Sequence, residues 1–224
     1  MIVPTWNEEA QLPACLRSVG DSHAGMELIV ADGGSTDRTV EIARAAGAKV
    51  VISPVRQRAA QLNLAVQEAT GEALLFLHAD TSLPRSWRAQ IARALDRDPR
   101  VAGGAFQRRF DHPSLWLRAT CALADWRGRA FGLFFGDQAM FVRAAAFWSL
   151  GGFRYLSQCE DLDFSLRLAR HGRTRLLHPA IVTSGRRFLR RGPVRQTWSD
   201  LRTAVRFIAA QSNGGTAVTP EKSL

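Results

Sequence analysis

Through its first hundred residues the chain repeats one alternation: a short apolar run rich in β-branched residues, then a stretch striped at helical spacing. The runs are Met26–Ala31, Ala48–Ile52 and Ala73–Leu77, with a clipped one at Ile2–Val3. Between them, Leu12, Cys15, Leu16 and Val19 fall at i, i+3, i+4, i+7. Thr39, Ala43 and Ala46 stripe a second helix, with Ser35 as its expected N-cap and Gly47 as its end. Ala60, Leu64 and Ala65 mark a third, and Trp87, Ile91 and Leu95 a fourth. Strands separated by helices of this length imply right-handed crossovers. The fold class is therefore α/β: three layers, a mainly parallel central sheet and helices on both faces. Sheets of this kind bind ligands beyond the carboxyl ends of their strands, and the polar clusters sit there. They are Pro4–Glu9 after strand one, Asp32–Ser35 after strand two, and His78-Ala79-Asp80 after the strand that begins at Ala73. With the chain starting so close to the first cluster, strand one is short, and residues missing ahead of it would cost an edge of the sheet.

The second half is less regular. Val101–Phe106 and Ala139–Val142 read as strands, Leu115–Trp126 as a helix, and Glu160–Arg170 as a helix with Leu162, Leu166 and Ala169 inward. Strands near Leu176 and at Ile181–Thr183 follow. From Pro193, Val194, Trp198, Leu201, Val205 and Ile208 share one helical face, with Arg195, Arg202 and Arg206 on another. This gives one domain over residues 1–192 and a basic amphipathic helix with a flexible, frayed tail over 193–224.

Charge is concentrated rather than spread. The chain carries a net +10. Between Arg167 and Arg206 there are eleven arginines and a single acid, Asp200, while the remainder holds nineteen of each sign. Anionic ligands or surfaces are expected at that basic quarter. Three widely spaced cysteines, Cys15, Cys121 and Cys159, form no CxxC and read as reduced core thiols. No basic leader precedes Ile2, and no uncharged apolar run approaches the roughly 18–20 residues that span a bilayer. The expected location is the cytoplasm, with peripheral contact between residues 193–211 and an anionic membrane.

Several side chains have the chemistry for a site. Asp80 ends an apolar strand, a placement that suits an oxygen ligand of Mg²⁺ or Mn²⁺; its plain alternative is a cap on the following turn. Asp32 precedes Gly33-Gly34-Ser35 at a helix start, which is no dinucleotide fingerprint, so its carboxylate suits a base or ribose better than phosphate. Trp6 is a stacking platform or a core or rim aromatic. Glu160-Asp161-x-Asp163 opens a helix, where acids complement the dipole in any case and where one of them can serve as a general base. Arg186-Arg187 follows a strand and suits bidentate contact with phosphate, unless the pair is only solvated.

Taken together, Val3–Glu9, Ala31–Asp37, Arg58–Asn63, His78-Ala79-Asp80 and Glu160-Asp161 resemble, in order and spacing, the motifs of family 2 glycosyltransferases of GT-A fold over residues 2–190. His78-Ala79-Asp80 stands where that family has its metal-binding DxD, and Glu160-Asp161 where it has its ED catalytic pair. The forms Gln61-Leu62-Asn63, His78–Thr81 and Ser184–Arg187 look like a small bacterial subgroup of standalone enzymes, some placed in arsenosugar biosynthesis. The resemblance implies a nucleotide-sugar donor, UDP-linked in the family's commonest case, and a small-molecule or lipid-linked acceptor. It implies that Pro4, Trp6 and Glu9 line the nucleoside site, with Trp6 on the base, Asp32 at the base edge and Arg58 near the nucleotide. Asp80 would hold the divalent cation, Mn²⁺ or Mg²⁺, and Asp161 would be the base of an inverting transfer. Glu160, Arg186 and Arg187 would face phosphate and acceptor. Because His78 replaces the first acid of DxD, one carboxylate is left for the metal, which weakens its hold.

Two other readings fit parts of the chain. A nucleotidyltransferase shares such a sheet, yet it grips a triphosphate with a glycine-rich basic loop where this chain has Glu8 and Glu9. A binder of anionic polymers fits the +10, but the basic segment has few interleaved aromatics beyond Trp198 and Phe207, which speaks against nucleic acid.

Overall fold

A computed structural model describes residues 1–20 and 25–212; the last residues of the expected frayed tail lie outside the described residues. The strands are β1 (Ile2–Thr5), β2 (Ile29–Asp32), β3 (Lys49–Ile52), β4 (Ala73–Phe76), β5 (Thr81–Ser82), β6 (Val101–Phe110), β7 (Met140–Arg143) and β8 (Arg173–Thr183). The helices are α1 (Leu12–Val19), α2 (Thr39–Ala45), α3 (Arg58–Gln67), α4 (Trp87–Arg97), α5 (Leu115–Phe131), α6 (Ala144–Ser149), α7 (Glu160–His171), α8 (Arg186–Arg191) and α9 (Pro193–Ser212). All strands join one sheet in the order β3-β2-β1-β4-β7-β6-β8-β5. From β3 to β4 the neighbours are parallel, as the alternation requires. Beyond β4 the sheet is mixed: β7 runs antiparallel to β4 and β6, β6 is parallel to β8, and β5 is antiparallel to β8. β1 lies between β2 and β4, so the short first strand is central to the sheet and not an edge.

Period-two alternation builds the core on both faces. Ile2, Ile29, Leu74 and Phe76 enter one apolar cluster with Leu62, Phe147, Phe153 and Phe164. Val3, Val30, Leu75 and Leu77 enter the other with Leu12, Trp87, Ile91 and Phe106. The expected three layers are therefore present.

Three local expectations change. Ser35 does not cap α2; its hydroxyl donates to Asp32, and Asp37 Oδ1 instead accepts the Thr39 amide. Helix α5 runs on to Phe131 and ends at Gly132, whose φ is +64° and whose amide returns to the Gly128 carbonyl. In α7, Phe164 and Leu168 are buried with Leu162, while Leu166 and Ala169 are half-buried. The helix is rotated by Ser165, which accepts the Phe134 amide and donates to the Gly132 carbonyl.

β6 threads between β7 and β8 through Gly103 and Gly104. A Cβ at Gly104 would collide with the Arg175 backbone, and one at Gly103 with the Phe141 carbonyl. Neither obstacle is a flexible side-chain end. Gly104→Ala is expected to lower unfolding stability by about 3 kcal/mol, at the upper end of overpacking costs. Gly71→Ala, whose Cβ meets nothing nearer than 3.7 Å, serves as the near-neutral control in denaturant titration.

Candidate active site

The first polar loop is sewn to the second. The Asn7 amide donates to Ser35 Oγ, the Thr36 amide to Asn7 Oδ1, and the Glu8 amide to Thr39 Oγ1. At the centre, the fully buried Asp32 carboxylate takes four hydrogen bonds. Oδ1 accepts the Gly34 and Ser35 amides at 2.9 and 2.7 Å, and Oδ2 accepts the Thr5 and Ser35 hydroxyls. Gln61 Nε2, on α3, donates to the Thr5 and Ala31 carbonyls, both at 2.8 Å, and ties α3 to the same strand ends.

Beyond this edge opens a cleft of about 1130 Å³. Pro4, Trp6, Arg58, Asp80, Glu160, Asp161 and Arg186 all line it, so residues from opposite ends of the chain meet there. Two expected residues are not among its lining. Asp32 stands behind the wall with its oxygens engaged as above, and Glu9 turns away to accept the Arg38 amide. Glu8 faces the cleft in its place. The side chain of Arg187 lies outside the described residues.

Trp6 is partly exposed, with the Arg56 guanidinium 3.0 Å from its ring centroid. Arg58, the first residue of α3, reaches Glu160 Oε1 at 3.1 Å. Burial pushes the Glu160 carboxyl above the usual range; the adjacent Asp161 charge adds to this, and Arg58 pulls part of the way back. Asp161 Oδ2 accepts the Gly136 amide at 2.6 Å, and Oδ1 accepts the Leu162 amide. Asp161 and His78 share a small adjoining recess with Gly136. A side chain at Gly136 would run into both, since a Cβ would stand 2.9 Å from His78 Nε2 and 3.1 Å from Asp161 Oδ2. Cys159, just before Glu160, holds φ at +64°, a conformation costly for a residue with a Cβ and typical of tightly specified sites.

Arg186 Nη2 bridges the Glu8 carboxylate at 2.9 Å and Asp80 Oδ2 at 3.5 Å. Burial pushes the Asp80 carboxyl up; Arg186 draws it down, while Glu8 and Asp137 push it further up. Across the cleft, Arg108 pairs with Asp137, and Arg127 lies over the Phe135 ring. Burial pulls the Arg127 guanidinium down to about 10, and Arg108 adds to the shift. Glu8, Arg56, Arg108, Arg127 and Asp137 escaped the sequence reading. Glu8 was signalled by the first motif, where it competes with its neighbour Glu9. The arginines on β6 and α5 carry no local signal, because only the mixed half of the sheet brings them to the cleft.

Among the described residues, five arginines and six carboxylates line the cleft. Its charge is close to balanced, so a diphosphate entering it would bring negative charge that the lining does not offset. The hard oxygens of Asp80, with Glu8 close by, suit a divalent cation that takes its other ligands from phosphate and water. No group of three or more metal-binding side chains exists among the described residues, so the protein alone offers a partial shell.

The sequence profile described as "Glycosyl transferase family 2" matches residues 1–157. Over 90 residues the chain is 42% identical to a PGL/p-HBAD biosynthesis glycosyltransferase of Mycobacterium bovis (strain BCG / Pasteur 1173P2), covering 37% of this chain and 35% of that protein. The mannosyltransferase PcManGT from Pyrobaculum calidifontis, in complex with GDP-Man and Mn²⁺, superposes with a TM-score of 0.68 at 24% identity, covering 82% of this chain and 55% of that one. S. aureus TarS 1-349 in complex with UDP-GlcNAc gives 0.66 at 19% identity, covering 82% and 57%. At these identities the likeness shows the fold, which is the expected GT-A type. The chain spans about a third of the length of the curated relative and a little over half of the solved ones.

Removing Arg58 leaves the buried Glu160 carboxylate beside Asp161 without its cation. Arg58→Met is expected to cost about 1–2 kcal/mol at pH 7, less than a fully buried pair because Arg58 is half exposed. A carboxyl raised in the folded state destabilises when ionised and is relieved as pH falls toward its unfolded value. The stability gap between variant and wild type should therefore shrink on acidification from pH 7 toward pH 5 in denaturant titrations.

Proposed function

The chain belongs to glycosyl transferase family 2, and on that premise we propose that it moves a sugar from a nucleoside-diphosphate donor to an acceptor hydroxyl with inversion at the anomeric carbon. The observation that carries this reading is the convergence of Trp6, Asp80, Glu160 and Asp161 on one cleft. The donor is UDP-linked in this reading, with the base against the free face of Trp6 and beside Pro4. Its diphosphate extends toward Asp80 and Arg186, where Arg186 exchanges its contacts with Glu8 and Asp80 for phosphate oxygens. A divalent cation, Mn²⁺ or Mg²⁺, held between Asp80 and the diphosphate would supply positive charge against the leaving group. The mannosyltransferase neighbour was solved with Mn²⁺ and GDP-Man, which supports a cation and a nucleotide sugar as the ligands of this fold.

Asp161 is the general base. Its two oxygens are aimed by the Gly136 and Leu162 amides, each of which leaves a lone pair available. It takes the proton of the acceptor hydroxyl as that oxygen attacks the anomeric carbon. The carbon–oxygen bond to the diphosphate breaks on the opposite face, and its electron pair departs with the nucleoside diphosphate. Glu160 and Arg58 position Asp161 by fixing the first turn of α7 against α3. The acceptor is a small molecule or a lipid-linked alcohol.

Thermal-shift titration with UDP and GDP, with and without Mn²⁺, reads donor binding, since a ligand that binds only the folded state raises its stability. Asp80→Ala is expected to lose the Mn²⁺-dependent part of the shift. Asp161→Asn should keep that shift yet lose about a hundredfold or more in nucleoside diphosphate release from a panel of nucleotide sugars. Wild-type turnover by Asp161→Asn would reject the assignment.

A further inference from the structure

The tail helix was expected to show an apolar face, and it does, but it does not do so alone. On α9, Val194, Trp198, Leu201, Val205 and Ile208 are exposed, Trp198 by 64%, while Gln196 on the far side and Ala204 on the flank are buried. On α5, Leu115, Trp116, Leu123 and Trp126 are also exposed, Leu115 by 77% and Trp126 by 58%. The two helices touch, and Trp116 Nε1 donates to Thr197 Oγ1 at 3.1 Å. Exposed apolar area in water is unfavourable, and a contiguous patch spread over two helices signals a partner.

We propose that α5 and α9 together form a docking face for an anionic lipid bilayer. Three observations select a bilayer. Arg118 and Arg129 on α5, and Arg195, Arg202 and Arg206 on α9, are exposed beside the apolar stripes, where their stems can lie on lipid and their heads reach phosphate. From Arg186 to Arg206 the chain has seven arginines and one acid, Asp200, so a two-fold pairing with a second copy would bring like charges together. The face also runs into the active cleft: Leu123, Leu201, Val205 and Ile208 belong to both the exposed set and the cleft lining. Such a face gives the cleft an apolar approach from the membrane side. No helix among the described residues is long and apolar enough to cross a membrane, so the contact is superficial.

The test is co-sedimentation of the full chain with vesicles of phosphatidylcholine alone or phosphatidylcholine with phosphatidylglycerol. Binding is expected to the mixed vesicles and to be much weaker with phosphatidylcholine alone. Trp126→Glu on α5 and Trp198→Glu on α9 should each weaken it about tenfold or more, as should Arg202→Glu combined with Arg206→Glu. None of these residues lines the cleft, so melting temperature and nucleotide-induced shifts should stay as in the wild type. Those readings do not depend on sugar transfer, so failure here leaves the proposed activity standing. The proposal is overturned by absence of wild-type binding to mixed vesicles, or by full binding in the Trp126→Glu variant. It is also overturned by a dimer in light scattering that the tryptophan variants split, which would make the face an interface between copies.

Discussion

A carboxylate with no access to water organises the donor edge of this protein. Asp32 takes four hydrogen bonds from two amides and two hydroxyls, and each donor belongs to a segment that would otherwise be free to wander. Burying an ion costs several kcal/mol unless its lone pairs are satisfied, and here they are. The same network holds Thr5 at the end of β1 and Ser35 ahead of α2, while Gln61 clamps the Thr5 and Ala31 carbonyls from α3. Pro4, Trp6 and Glu8 are therefore presented to the cleft from a rigid rim, the condition for a binding site that loses little entropy on filling.

Facing that rim is a wall with different origins. The antiparallel return of β7 brings Gly136 and Asp137 beside His78 and Asp80, and α7 places Glu160 and Asp161 opposite Arg58. Charges of both signs are paired across it: Arg58 with Glu160, Arg108 with Asp137, Arg186 with Glu8 and Asp80. Such pairing offsets part of the cost of burying the acids, and the arginine heads remain exchangeable for phosphate oxygens of the same geometry. The Cys159 backbone holds a positive φ directly before the acid pair, which shows how tightly the start of α7 is specified.

The parallel half of the fold was readable because its signals are local. Period-two apolar runs and helical stripes lie within windows of ten residues, and the strands ended within a few residues of the expected positions. Trp6, Asp80, Glu160 and Asp161, each carried by a compact motif, line one cleft. What escaped is long-range or depends on side-chain direction. Glu8 and Glu9 are equivalent in sequence, and only the turn at Asn7, with φ at +51°, decides which faces inward. Asp32 reads as a ligand by position, yet the donors that claim it come from two different segments. The exposed stripe on α5 has the spacing of a packed helix, so its exposure could not be foreseen.

By itself, then, the chain determined an α/β sheet with parallel strands in its first half, a basic amphipathic end, and a set of acids and aromatics at the ends of its strands. Propensity, periodicity and turn chemistry act between near neighbours, and those are written in the residues. Tertiary structure alone decided the mixed order of the later strands, the entry of Arg108, Arg127 and Asp137 into the cleft, and the alignment of α5 with α9 along one exposed face. These depend on contacts between residues far apart in the chain, where the balance of burial and charge is struck only after the sheet has closed.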